Sequence, residues 1–253
     1  MNFSIIHKHK LIIGLTAKSG CTHIKHLGFR IAYGHSYKNT GGRIHWEPRW
    51  KSMVVGSEVK LLSRIKRNPK LKEYTVVGIM RNPYERLVSG FLDKYQPPNI
   101  CRKNGGEFRN RFSQPRNFKR FTNHLLRNDW GTVDQTHFKT QINSIENLLA
   151  IKDLVHDFRI WDLKNIDYDF LNKRCETNDL SMIAKGPHQR DKKPLKKWNE
   201  NTDLCVSELP MSHYIEYAVP YNLFYTSDIK QKIKKYFHRD LKFAEMQNIV
   251  YDI

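Results

Sequence analysis

Lys18 heads the stretch Lys18-Ser19-Gly20-Cys21-Thr22, a cation followed by small residues and hydroxyls, which is a composition that can bind an anion. Gly20 allows a tight turn and a close approach of backbone to ligand. Ser19 and Thr22 can donate hydroxyl hydrogen bonds and cap a following helix. Farther along stands Arg81-Asn82-Pro83-Tyr84-Glu85-Arg86-Leu87-Val88-Ser89-Gly90. The guanidinium of Arg81 can grip a phosphate with a two-pronged fork, and a pairing with Glu85 or a nearby Asp is an equal alternative. The nucleoside-triphosphate loop G-x-x-x-x-G-K-[ST] is excluded, because its lysine follows the second glycine whereas Lys18 precedes Gly20. Spacing alone leaves an ordinary strand-to-helix turn with an exposed lysine as an equal reading of the first stretch.

Both stretches sit where a strand gives way to a helix. Leu11–Leu15 and Tyr74–Met80 are apolar runs of strand length, and Thr22–Arg30 has a helical pattern. Asn82 is a good N-cap, Pro83 suits the first helical turn, and Glu85 stands where a capping box needs it. Tyr84, Leu87, Val88, Phe91, Leu92 and Tyr95 recur at helical spacing and mark a buried stripe that leaves Ser89 outside it. Such junctions present backbone N–H groups and a helix dipole to phosphate. They also lie at the carboxyl ends of strands, where open α/β sheets bind ligands. Two of them imply a ligand with two anionic ends.

Together the two stretches resemble the sulfotransferases that use 3′-phosphoadenosine 5′-phosphosulfate (PAPS), specifically the carbohydrate, Golgi-type, family 2 branch. That family carries a P-K-x-G/A-x-[ST] loop for the 5′-phosphosulfate and an R-[DN]-P-[FY]-x-R-L-x-S motif for the 3′-phosphate. Here Ala17 replaces the usual proline of the first motif, and Arg81–Ser89 follows the second almost without departure. Phe91-Leu92-Asp93-Lys94-Tyr95 continues the likeness. Asp134–Gln141 looks like the family's D-x-H-[FW]-x-x-Q segment, Gly186–Pro194 like its basic nucleotide-closing loop, and Ile233–Phe243 like its C-terminal helix.

The resemblance implies roles. Sulfuryl transfer is mostly positioning and charge stabilisation, by analogy with phosphoryl transfer. Lys18 would neutralise the leaving oxygen, and the amides of Ser19, Gly20, Cys21 and Thr22 would cradle the 5′-phosphate. Arg81 and Ser89 would hold the 3′-phosphate, with Arg190, Lys192 and Lys193 closing on the nucleotide. His137 matches the family's histidine and is the candidate general base, since imidazole titrates near neutrality; Glu85 and Asp134 are the fallbacks. PAPS is the donor, adenosine 3′,5′-bisphosphate (PAP) the product, no metal is required, and the expected acceptor is a hydroxyl on a glycan.

The chain has 253 residues, with 44 Lys and Arg against 25 Asp and Glu, a net charge of +19. Such a charge favours polyanionic partners, whether nucleotides, acidic glycans or nucleic acid. A non-catalytic nucleic-acid binder is therefore the first rival, but no zinc-finger spacing, basic helix leading into heptads or RNP-like motif is present. A P-loop-like nucleotide kinase and an inactive relative are the others. Cys21, Cys101, Cys175 and Cys205 are scattered without C-x-x-C spacing, which argues for reduced thiols and against a zinc site. No signal peptide is read in Met1–Lys10 and no apolar run reaches membrane-spanning length. Golgi relatives carry an anchor, so the expectation is a cytoplasmic or otherwise soluble protein, or a fragment lacking the anchor. The Asn-, Lys- and Ile-rich usage points to a microbe or virus.

The expected fold class is α/β: a single P-loop-like domain with a central parallel sheet, flanking helices and inserted basic loops. Residues 10–32 and 73–95 form two βα units, and basic loops cover about 96–116 and 185–197. Short helices are expected near Lys51–Lys66, a helix from Phe118, a strand over Asp157–Leu163, a helix over Tyr168–Cys175, and a last helix over Ser227–Tyr236 that resumes at Leu241.

Overall fold

The structure is a computed structural model that describes residues 1–37, 44, 47–95, 117–129, 133, 135–181, 195–198 and 205–252. These residues group into two compact units. The first comprises Met1–Arg81, Gln141–Lys192 and Phe243–Ile249, and the second Asn82–Thr140, Lys193–Lys242 and Val250–Ile253.

The first unit is built on a five-stranded sheet. Its strands are β1 (Asn2–Ile6), β2 (Leu11–Leu15), β3 (Val54–Val55), β4 (Thr75–Met80) and β5 (Asp157–Asp162), in the order β3-β1-β2-β4-β5. β2, β4 and β5 run parallel, with Gly14 opposite Gly78 and Gly78 opposite Ile160. Every residue of β2 and β4 is buried, as strands covered on both faces require. β1 pairs antiparallel with β2 and with β3, so the parallel centre carries an antiparallel extension at one side. β1 carries no distinct signal in the sequence. The turn at His7–His9 closes its hairpin with β2 and ends on Lys10 in the left-handed region.

Helix α1 (Cys21–Tyr33) follows β2 and buries Ile24, Leu27, Phe29 and Ile31. α2 (Pro48–Ser52) and α3 (Glu58–Arg67) match the short helices expected there, and α3 starts on a Ser57 side-chain cap. After β4, α4 (Pro83–Lys94) opens the second unit. The remaining helices include α5 (Phe118–Leu126), α6 (Gln135–Phe138), α7 (Ile145–Lys152), α8 (Tyr168–Cys175), α9 (Met211–Glu216), α10 (Ser227–Tyr236) and α11 (His238–Glu245).

Each unit has its own apolar core. In the first, Leu11, Ile13 and Leu15 of β2 meet Ile24, Leu27 and Phe29 of α1 together with Trp50, Val77 and Leu171. The second is aromatic, with Phe91, Phe118, Phe121, Phe138, Tyr214, Phe224 and Phe237 in one cluster. Rings of Phe91 and Phe121 lie 5.1 Å apart and those of Phe121 and Phe138 4.8 Å apart, within the range of favourable aromatic pairs.

Candidate active site

The loop between β2 and α1 is shaped by polar side chains turned inward. Thr16 Oγ1 donates to Ser19 Oγ at 2.7 Å, and Ser19 Oγ donates to Gln141 Oε1 at 2.6 Å. Ser19 and Gln141 are wholly buried. Two residues of the loop are left-handed, Lys18 at φ 63° and Gly20 at φ 67°. Gly20 has a second reason to lack a side chain: a Cβ there would stand 2.5 Å from Leu163 Cδ1.

This geometry corrects one expectation. Gly20, rather than Ser19 or Thr22, is the N-cap of α1. The first turn of α1 also has no acidic residue. With no carboxylate in its first turn, no acidic side chain there offsets the positive end of the helix, which suits an anion.

The second cation comes from the next strand. Arg81 follows the last residue of β4, and its Nη1 donates to the Lys18 carbonyl at 3.2 Å. Its main chain is held by Gln141: Arg81 N–H donates to Oε1 at 3.0 Å, and Nε2 donates to the Arg81 carbonyl at 2.8 Å. One buried amide thus fixes the strand end that carries Arg81 and the loop that carries Lys18. Sequence reading placed Gln141 at the end of a family-like segment and gave it no role; its partners are too far away in sequence for any periodicity to announce them. Asn143, two residues on, donates from backbone and side chain to the buried Glu58, which also pairs with the Met1 amino group at 2.6 Å. Lys25, one turn into α1 from Cys21, has its ammonium pushed down in pKa by burial, and the Cys21 thiol opposes that shift.

In the second unit the motif after Arg81 builds α4 as expected. The Asn82 side chain accepts from Tyr84 N–H at 3.0 Å, and Pro83 occupies the first turn. Tyr84, Leu87, Val88, Phe91 and Tyr95 are buried, while Ser89 is half-buried. His137 lies in the short helix α6 and is half-buried too.

Residues 1–243 match the sequence profile described as the Sulfotransferase family. The chain belongs to that family. No curated protein and no solved structure matches it. The fold is the α/β, P-loop-like arrangement expected of such a sulfotransferase, in its family 2 branch.

Within the sulfotransferase, Lys18, Ser19, Gly20, Cys21, Thr22 and Arg81 fall in the first unit, and Ser89 and His137 in the second. Asp134, Arg190, Lys192 and Lys193 lie outside the described residues, as do Cys101, the 96–116 stretch and most of the 185–197 stretch. Of the fallback bases, Glu85 stands half-buried in the first turn of α4. Among the described residues no cluster of His, Cys, Asp or Glu could hold a metal ion, and no helix is long and apolar enough to cross a membrane. Cys21, Cys175 and Cys205 are free thiols, and burial pushes Cys175 up to about 11.

Proposed function

We propose that this sulfotransferase moves the sulfuryl group of PAPS to an acceptor hydroxyl on a carbohydrate. The observation that carries the reading is the Gln141 amide joining Ser19 of the β2–α1 loop to the main chain of Arg81. Two cationic strand ends held at a fixed spacing suit a nucleotide with phosphates at both the 5′ and 3′ positions. An α1 without a first-turn carboxylate suits the 5′ end in particular.

In this reaction the sulfur–oxygen bond to the 5′-phosphate breaks, a bond from sulfur to the acceptor oxygen forms, and the acceptor proton passes to a base. Lys18 stabilises the charge that grows on the leaving oxygen. The amides of Ser19, Gly20, Cys21 and Thr22 receive the 5′-phosphate, while the Ser19 hydroxyl stays committed to Gln141. Arg81 and Ser89 select the 3′-phosphate, with Arg190 and Lys192 as further nucleotide contacts on sequence grounds. His137 takes the acceptor proton. The family 2 motifs and the +19 charge support a glycan acceptor, and an acidic one above others.

The reading is tested by incubating the protein with radiolabelled PAPS and a pool of desulfated heparin, chondroitin and dermatan chains. Label entering the glycans, and lost in Lys18→Ala, supports it. Wild-type protein that labels no chain contradicts the carbohydrate acceptor.

A further inference from the structure

α6 is a single turn, Gln135–Phe138, too short to hold itself together in water. Two residues on one face of α4 hold it. Arg86 is almost fully buried, at 2% exposure. Its Nη1 donates to the His137 carbonyl at 3.1 Å, and its Nη2 donates to the Lys139 carbonyl. The same guanidinium lies over the Phe237 ring, 5.4 Å from its centroid. A turn of helix leaves its last carbonyls without helical partners, and a cation there also complements the helix dipole.

One helical turn farther along α4, Gly90 completes the seat. A Cβ at Gly90 would stand 2.5 Å from Phe138 Cε1, so the helix backbone is open to the ring only because the position is glycine. Phe138 then packs against Tyr95 and Phe121. The backbone of His137 is held on one side by a guanidinium fork and on the other by its buried neighbour, while its imidazole is left half-exposed.

We infer that Arg86 is a positioning residue that aims His137, with Gly90 shaping the seat that Phe138 fills. The inference rests on the assignment of His137 as the base. It gives the second arginine of the Arg81–Ser89 motif a task separate from nucleotide binding. Lysine cannot reproduce it, because a single ammonium lacks the planar fork that serves two carbonyls at once.

The test uses Arg86→Lys, which keeps the charge, with His137→Ala and the double variant. Hydrogen exchange is read first, needing no acceptor. Amides of 137–141 should exchange at least about tenfold faster in Arg86→Lys, with α5 protection unchanged; unaltered exchange overturns the clamp. Transfer to the glycan pool is read next. Arg86→Lys should lower kcat about 10- to 100-fold with the KM for PAPS unchanged, and should add nothing in the His137→Ala background, as groups acting as one unit behave. A full additional loss in the double variant overturns the clamp while leaving the base in place. A His137→Ala enzyme at wild-type rate overturns the base assignment, and the aiming role with it.

Discussion

Around Lys18 the backbone is fixed by side-chain hydrogen bonds, and around His137 by packed rings and one buried guanidinium. In the first stretch, Thr16, Ser19 and Gln141 form a buried polar chain ending on Arg81, and every member depends on the next. In the second, Phe138 sits in an aromatic cluster and the His137 and Lys139 carbonyls are held by the Arg86 guanidinium. The contrast is what the proposed roles of the two stretches would require. A phosphate loop offers its own amides to the ligand, so its shape has to be set by side chains pointing the other way. A base offers a side chain, so its backbone can be buried and clamped. The polar design should fail by losing binding, the aromatic one by losing stability.

The largest effects should come from removing the charges that the polar design presents. Lys18→Ala and Arg81→Ala should each lower transfer by at least about 10³-fold, somewhat beyond the loss of one transition-state donor, with native circular dichroism. Near wild-type transfer in either variant would remove that residue from the site. His137→Ala should lower the chemical step by roughly 10²–10⁴-fold and leave bisphosphate affinity within about twofold. An equal loss of affinity would mark His137 as structural.

The next pair sets the two designs against each other. Gln141→Leu leaves the buried Ser19 hydroxyl and the part-buried Arg81 N–H and carbonyl without this partner, at up to about 1–3 kcal/mol for a buried group left unsatisfied. Bisphosphate affinity should fall with stability. Phe138→Ala empties a ring site and should cost about 3–5 kcal/mol of stability with bisphosphate affinity retained. Unfolding and calorimetry on both variants sharpen the comparison, and the reverse pattern would break it.

The smallest expected effect is on pH dependence in the first unit. Burial holds His23 and His26 below the ordinary histidine range, and for His23 the charge of His26 adds to the effect. Folded pKa values below the unfolded one mean that the unfolded chain binds more protons. Their contribution to stability is then complete above about pH 6.5 and is lost as the pH falls below it. Melting temperatures between pH 7 and 5 should decline, and His26→Gln should flatten the decline; an unchanged slope would assign it elsewhere.

Much of this architecture is legible in the residues. The β2–α1 and β4–α4 units follow from apolar runs meeting Gly20 and the Asn82-Pro83 cap, and the stripe from Tyr84 to Tyr95 is the buried face of α4. Local physics writes such signals within a few positions. β1 is not legible because its three apolar residues before a basic turn give too short a signal to separate from an irregular end. The roles of Gln141, Arg86 and Gly90 were missed for another reason. Gln141 meets Ser19 and Arg81, Arg86 meets the His137 carbonyl, and Gly90 meets Phe138, all contacts made only once the chain has folded. The same holds for Ser19, whose hydroxyl donates to a distant amide.

The most direct test of the donor site is calorimetric titration with adenosine 3′,5′-bisphosphate, with AMP and ATP as controls. The geometry around Lys18, Gln141 and Arg81 predicts micromolar binding of the bisphosphate without Mg²⁺, and much weaker binding of AMP. No binding, or affinities that simply follow ligand charge, would contradict it and leave a basic surface suited to nucleic acid.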